Sequence, residues 1–189
     1  MNILLIDNGT RYINHLLTLL SYEQVDLKPW SQLSSASREY DAIILSGGHS
    51  YEIATHSKEY AREIAYIKES PSPILGICLG FELIAYTFGA KLKKISTQEK
   101  GTLEIEITTP DPLFIGLKQR VRVFENHRWV VDELPEDLSS LARSKDGIEI
   151  LRHNNRMMYG VQFHPELCLD QNKKENFITR FLEQARLFK

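Results

Sequence analysis

Pro73-Ile-Leu-Gly-Ile-Cys-Leu-Gly80 is an apolar run that reaches a thiol set between glycines, then opens into an amphipathic, helix-like stretch from Phe81 to Phe88. A strand that stops abruptly at Cys78 with a helix starting just behind it forces a sharp turn. Such a turn pushes the side chain out of a sheet, and the helix N-terminus behind it favours negative charge. Upstream, Asn2 to Ile6 is a short apolar run closed by the turn signal Asp7-Asn8-Gly9. Tyr12, Leu16, Leu17, Leu19 and Leu20 then recur at helical spacing. Val25 to Lys28 reads as a second strand, and Tyr40 to Leu45 as a third that ends at Ser46-Gly47-Gly48. Glu59 to Ile67 is helical in pattern. Strands apolar on both faces that alternate with helices predict an α/β fold, a mostly parallel sheet flanked by helices with right-handed crossovers.

Downstream of the helix the pattern changes. Gly101 to Thr108 and Arg120 to Phe124 alternate apolar with polar residues, as half-exposed antiparallel strands at a sheet edge do. Gly147 to Arg152 and Met158 to Phe163 flank the turn-rich His153-Asn154-Asn155-Arg156, which predicts a hairpin. Asn172 to Phe188 closes the chain as an amphipathic helix with Phe177, Phe181, Leu182 and Ala185 inward. With no repeats, low-complexity tracts or linkers, residues 1–189 are expected to form one domain.

Composition narrows the classes. The 189 residues are 42% hydrophobic and 25% charged, and 23 basic against 25 acidic residues leave a formal charge of −2. No basic stripe suggests a nucleic-acid groove, and no apolar stretch has membrane-spanning length. Two cysteines are too few for a disulfide framework, and the N-terminus lacks the basic region of a signal peptide, so a cytoplasmic location is expected. The histidines at 15, 49, 56, 127 and 153 are scattered and neither CxxC nor HExxH occurs, so no metal or other cofactor is expected.

Three groups of residues carry chemistry. Cys78, with Gly76 and Gly80 allowing close approach and a helix N-terminus beside it, is placed as a nucleophile; Cys168 lacks such a setting and reads as structural. In Tyr159-Gly-Val-Gln-Phe-His-Pro-Glu166 the proline fixes a loop in which the Glu166 carboxylate can reach and orient the His164 imidazole. The turn at Gly47-Gly48 can aim backbone N–H groups at an anion, so the N–H groups of Gly48 and Leu79 are the expected oxyanion hole.

These two long motifs, in this order and preceded by Leu45-Ser-Gly-Gly48, resemble those of the class I (triad-type) glutamine amidotransferases over nearly the whole chain. Stand-alone glutaminase subunits of GMP synthase and anthranilate synthase are among the similar proteins. The resemblance implies a flavodoxin-like sheet and a Cys78–His164–Glu166 triad. Cys78 would attack the side-chain amide of glutamine, and the ammonia would pass to a separate synthetase or synthase. Two departures bear on the substrate. Phe81-Glu82 stands where the family usually has His-Gln, and a carboxylate at Glu82 can receive the substrate's α-ammonium. Glu125-Asn-His-Arg-Trp129 replaces the usual His-Ser-Leu or His-Gly-Asp. Both segments look more like γ-glutamyl hydrolases, which makes a partner-free hydrolase of γ-glutamyl compounds the alternative. Gly47, Glu82, His127, Arg128 and Trp129 are the candidate substrate-binding residues. Arg128 reads either as a bidentate grip on an α-carboxylate or as a solvated cation, and Trp129 either as a pocket wall or as a core aromatic.

Overall fold

In the computed structural model, which describes residues 1–33, 40–49, 51–168 and 176–188, one nine-stranded sheet runs through the molecule. Its strands are β1 (Asn2–Asn8), β2 (Gln24–Pro29), β3 (Ala42–Gly48), β4 (Ile74–Ile77), β5 (Leu92–Ile107), β6 (Arg120–Val131), β7 (Leu138–Arg143), β8 (Ile148–His153) and β9 (Met158–Val161). The spatial order is β2-β1-β3-β4-β9-β8-β7-β5-β6. The first five strands in that order pair in parallel, and the rest pair antiparallel. The parallel half thus has the flavodoxin-like arrangement, with β9 as its fifth strand.

The parallel strands are apolar on both faces because both faces are covered. Ile3, Leu5, Ala42, Ile44, Leu75 and Ile77 point to one side, against Leu16 and Leu20 around helix α1 (Ile13–Leu19) and Phe177, Phe181 and Leu182 of α5 (Phe177–Leu187). Leu4, Ile6, Ile43, Leu45 and Ile74 point to the other side, beneath α2 (Ile53–His56), α3 (Ala61–Glu69) and α4 (Leu79–Thr87). Alternation along each strand sends successive side chains into two separate cores.

Helix α4 is not amphipathic as its sequence suggested. Leu79 to Ala85 are all buried, because the helix is sandwiched between the sheet and the α2–α3 layer. Gly80 permits the close seat: a β-carbon there would lie 2.5 Å from the Leu45 carbonyl oxygen. Strand β5 begins nine residues before the expected Gly101 (at Leu92), and β6 continues to Val131. Together they form a long antiparallel arm whose register shifts between Lys94 and Glu99. Strand β7 has no counterpart in the sequence reading, since Leu-Ser-Ser-Leu-Ala-Arg lacks a β-branched or aromatic alternation. The expected C-terminal helix is present as α5; residues 172–175 of its predicted span lie outside the described residues. Among the described residues, no helix is long and apolar enough to cross a membrane.

Candidate active site

The carboxyl ends of the parallel strands converge on a cavity of about 370 Å³. It lies where the strand order reverses between β1 and β3, the crevice that open α/β sheets offer to ligands. Thr10, Arg11 and Tyr12 come from the turn after β1, Gly48 and His49 from the end of β3, Cys78 from the turn after β4, and His164 from the loop after β9. Gln98, Lys100 and Asn126 reach it from the β5–β6 arm.

Cys78 has φ 50° and ψ −103°, and among the described residues it is the one non-glycine with positive φ. Such a conformation costs on the order of 1–3 kcal/mol and persists only where its surroundings enforce it. They do so here. The Cys78 N–H donates to the Val161 carbonyl at 2.8 Å, tying the turn to the end of β9, and the Cys78 carbonyl accepts the first helical bond from Glu82. The strained elbow read from the sequence is therefore present, and it faces the cavity.

His164 follows β9 and stands at the head of the short 3-10 turn Pro165–Leu167. Its Nδ1 is 2.8 Å from Glu166 Oε1, and both side chains are buried. Since the carboxylate only accepts, Nδ1 carries the proton and Nε2 is left as the free base. The loop is anchored from two sides: the His164 N–H donates to the Phe124 carbonyl of β6, and the Asn176 amide donates to the Pro165 carbonyl at 2.7 Å. Tyr12 packs edge-on against the imidazole, ring centres 5.0 Å apart, and its hydroxyl accepts a hydrogen bond from Asn126. Gln98 in turn donates to Asn126.

Gly47 lies between the Cys78 and His164 side chains. A β-carbon there would be 3.0 Å from His164 Cε1 and 3.5 Å from Cys78 Cβ, so any larger residue would invade the gap they share. Gly48 is held harder still, with its α-carbon so close to β1 that a β-carbon would meet the Asn8 carbonyl oxygen at 2.1 Å. Buried polar groups fix this turn. The Ser46 hydroxyl accepts from the Asn8 N–H and donates to the Gly47 carbonyl, while the Asn8 amide donates to the Ser46 carbonyl and to Glu63 Oε1. Burial pushes the Glu63 carboxyl up to about 8.

Electrostatics keep the thiol protonated at rest. Burial raises the Cys78 thiol well above its usual value, and the Glu82, Glu166 and Glu125 carboxylates act in the same direction. Opposing them is the hydrogen bond from the Leu79 N–H at the start of α4. Glu82 itself is buried, accepts from Gln162 Nε2 at 3.4 Å, and is raised to about 8, chiefly by burial. The same Gln162 nitrogen is 4.0 Å from the Cys78 sulfur.

Of the residues expected to bind substrate, Gly47 and Glu82 lie close to Cys78, but neither they nor His127, Arg128 and Trp129 are among the residues that line the cavity. His127 is buried on the other face of β6 beside Glu99 and Glu125, Arg128 is exposed, and Trp129 is half-buried under the Lys94 ammonium. Arg11, Tyr12, His49, Gln98, Lys100 and Asn126, which do line the cavity, were not singled out from the sequence. For Asn126 a signal existed: continuing the alternation of Arg120–Phe124 places residues 125 and 127 on one face and 126 on the other.

A parallel sheet with a strained thiol and a histidine–carboxylate pair at its strand ends is the architecture of an amide-processing α/β enzyme. The chain belongs to the class-I glutamine amidotransferase family, whose model matches residues 4–184. Among its relatives, the glutamine-hydrolysing GMP synthase subunit of Pyrococcus abyssi is 37% identical over 173 residues, covering 88% of this chain and 89% of that one. The corresponding GMP synthase subunit of Methanobrevibacter smithii is 36% identical over 173 residues, 88% and 87% of the two chains. A solved structure from Thermoplasma acidophilum, described as that of a GMP synthase subunit, superposes with a TM-score of 0.88 at 27% identity, over all of this chain and 95% of the other. A glutamine amidotransferase from Thermotoga maritima shares the fold, with a TM-score of 0.78 at 19% identity over 98% and 97% of the two chains.

Proposed function

We propose that this chain is the glutaminase component of a two-chain GMP synthase, which hydrolyses the side-chain amide of glutamine and supplies ammonia to a separate synthetase. The observation that carries the reading is the meeting of Cys78 and His164 at one cavity, with Glu166 2.8 Å behind the imidazole. His164 Nε2 takes the thiol proton as the Cys78 sulfur attacks the carboxamide carbon, and the oxyanion is received by the N–H groups of Gly48 and Leu79. His164 then gives the proton to the departing nitrogen, ammonia leaves, and a thioester remains. Water, deprotonated by the same imidazole, cleaves the thioester to glutamate and restores the thiol. Arg11 and Lys100, the cations among the described residues of the wall, none of which is acidic, suit the carboxylate end of the substrate.

The relatives above are named as GMP synthase subunits that hydrolyse glutamine, and they lend nothing to the γ-glutamyl hydrolase alternative. A thiol held neutral by burial also fits a glutaminase whose activity waits on a partner. The test measures ammonia and glutamate released from glutamine by wild type and Cys78→Ala, alone and together with a GMP synthetase. Cysteine-dependent release that rises with the synthetase is expected. Equal release by both proteins, or turnover of γ-glutamyl peptides in preference to glutamine, refutes the reading.

A further inference from the structure

On the face of β6 opposite Asn126, four side chains from three strands crowd together away from solvent. Glu99 of β5 is 9% exposed, His127 3% and Glu125 1% on β6, and Glu149 of β8 1%. The His127 Nδ1 is 3.0 Å from the Trp129 carbonyl oxygen, so this nitrogen carries the proton and donates it. In the neutral ring Nε2 is then a bare lone pair. It faces Glu99 Oε2 at 3.3 Å and Glu125 Oε2 at 3.1 Å, neither contact with hydrogen-bond geometry. Both Glu125 oxygens and one Glu149 oxygen also lack a hydrogen-bond partner. Lone pairs buried against lone pairs repel, so the arrangement calls for a cation among them.

We propose that Glu99, His127 and Glu149 bind a divalent first-row transition ion of the Zn²⁺ class, with Glu125 as the adjoining carboxylate that completes the charge. One ligand atom from each of the three lies within 4.8 Å of the others. The 3.3 Å approach of Glu99 Oε2 to Nε2 matches the ligand-to-ligand edge of a tetrahedral ion, about 3.3 Å for bonds of about 2.0–2.1 Å, and Glu149 would draw in from within 4.8 Å. The imidazole is oriented as metal-bound histidines are, its other N–H given to a backbone carbonyl. Mixed imidazole and carboxylate donors suit borderline ions better than the oxygen-seeking Mg²⁺ and Ca²⁺. The ion would pin β5, β6 and β8 together just where Phe124 holds the His164 backbone and Asn126 enters the cavity. Its role is structural, and it stands independently of the glutaminase reaction.

The experiment strips the full chain with a chelator, titrates it with Zn²⁺, and follows bound metal by mass spectrometry and stability by thermal denaturation. Wild type and Cys78→Ser are expected to bind one ion per chain and to melt at higher temperature when loaded. Glu149→Gln and Glu99→Gln, checked for fold by circular dichroism, are expected to bind at least about 100-fold more weakly, beyond the loss typical of an outer-shell partner. Co²⁺ loading should give visible ligand-field bands without a thiolate charge-transfer band. Wild type that takes up no stoichiometric ion overturns the proposal and leaves protons as the cations of the cluster. Binding lost in Cys78→Ser but kept in both glutamate variants overturns it too, as does a thiolate band, because each places the ion at the thiol.

Discussion

Replacing Glu82 by glutamine should flatten the dependence of stability on pH. The carboxyl is fully enclosed behind Cys78, and burial moves it from an ordinary 4.5 to about 8, while the bond from Gln162 pulls weakly the other way. A folded value above the unfolded one means that the unfolded chain releases this proton first. The stabilisation is complete below about 4.5 and disappears as pH climbs through about 8. The gap corresponds to roughly 4–5 kcal/mol in all, of which about 4 kcal/mol falls between pH 5 and pH 9. That is a large fraction of the roughly 5–15 kcal/mol that holds a domain folded.

Glu82→Gln keeps an amide that can still meet Gln162 but carries no titrating proton. Urea unfolding at constant ionic strength at pH 5, 7 and 9 should therefore show the variant near wild type at pH 5 and more stable by roughly 4 kcal/mol at pH 9. Some slope will remain in the variant, because Glu63 is buried with the same sign of shift. The charge on Glu82 also raises the Cys78 thiol, so alkylation of Cys78 by iodoacetamide should begin at lower pH in the variant. Parallel stability curves for the two proteins from pH 5 to pH 9 would refute the argument, since they would mean that Glu82 is ionised without penalty where it stands.

Gly48→Ala, whose new β-carbon would sit 2.1 Å from the Asn8 carbonyl oxygen, should spread β1 from β3 and cut glutamine hydrolysis by about 10²-fold or more, the scale of a lost oxyanion donor; wild-type turnover rates in the variant would show that this N–H takes no part. Glu166→Gln should lower kcat by about 10²-fold or more with little change in KM, because it removes the group that fixes the His164 tautomer; steady-state kinetics will separate the two effects. Asn176→Ala loses both the cap on Ile178 N–H and the bond to the Pro165 carbonyl, so it should destabilise the fold by about 1–2 kcal/mol in urea melts and reduce kcat through a looser His164 loop.

The parallel half of the fold was legible because its strands are buried on both faces and its punctuation is chemical: Asp7-Asn8-Gly9, Ser46-Gly47-Gly48 and the glycines around Cys78 each stop a strand. His164 and Glu166 were legible because a proline confines them to one loop. The cavity wall was less so. Tyr12 looked like one more apolar residue of the first helix, and its part against His164 depends on how the turn after β1 reaches the loop after β9, with β3 and β4 between the two strands. Gln98 and Lys100 lie before the stretch of β5 that alternates cleanly, in a segment polar on both faces whose register shifts. Asn8 and Glu63 read as a turn residue and a helix-surface acid, and only the packing of α3 over the end of β1 brings them together at 3.0 Å. The Glu99–His127–Glu149 cluster has no linear motif: Glu99 and His127 are paired across β5 and β6, while Glu149 comes from β8, a strand that pairs with neither.

The strand order itself does much of the positioning of Cys78 and His164. β4 and β9 are adjacent and parallel, with Ile77 paired to Val161, so their carboxyl ends finish side by side. One residue past that pair lies Cys78, whose N–H bonds to the Val161 carbonyl; three residues past it lies His164. Thiol and imidazole therefore line one cavity because two strands end in register, not because a mobile loop finds the site. In the proposed reaction, proximity fixed in this way would remove much of the entropic barrier to proton transfer. What it leaves unsolved is charge: burial first, then Glu82, Glu166 and Glu125, raise the Cys78 thiol, and the hydrogen bond from the Leu79 N–H opposes them. The structure thus separates geometry, which is ready in this chain by itself, from ionisation, which is opposed there. A substrate or partner that places positive charge near the sulfur would act on the second without disturbing the first.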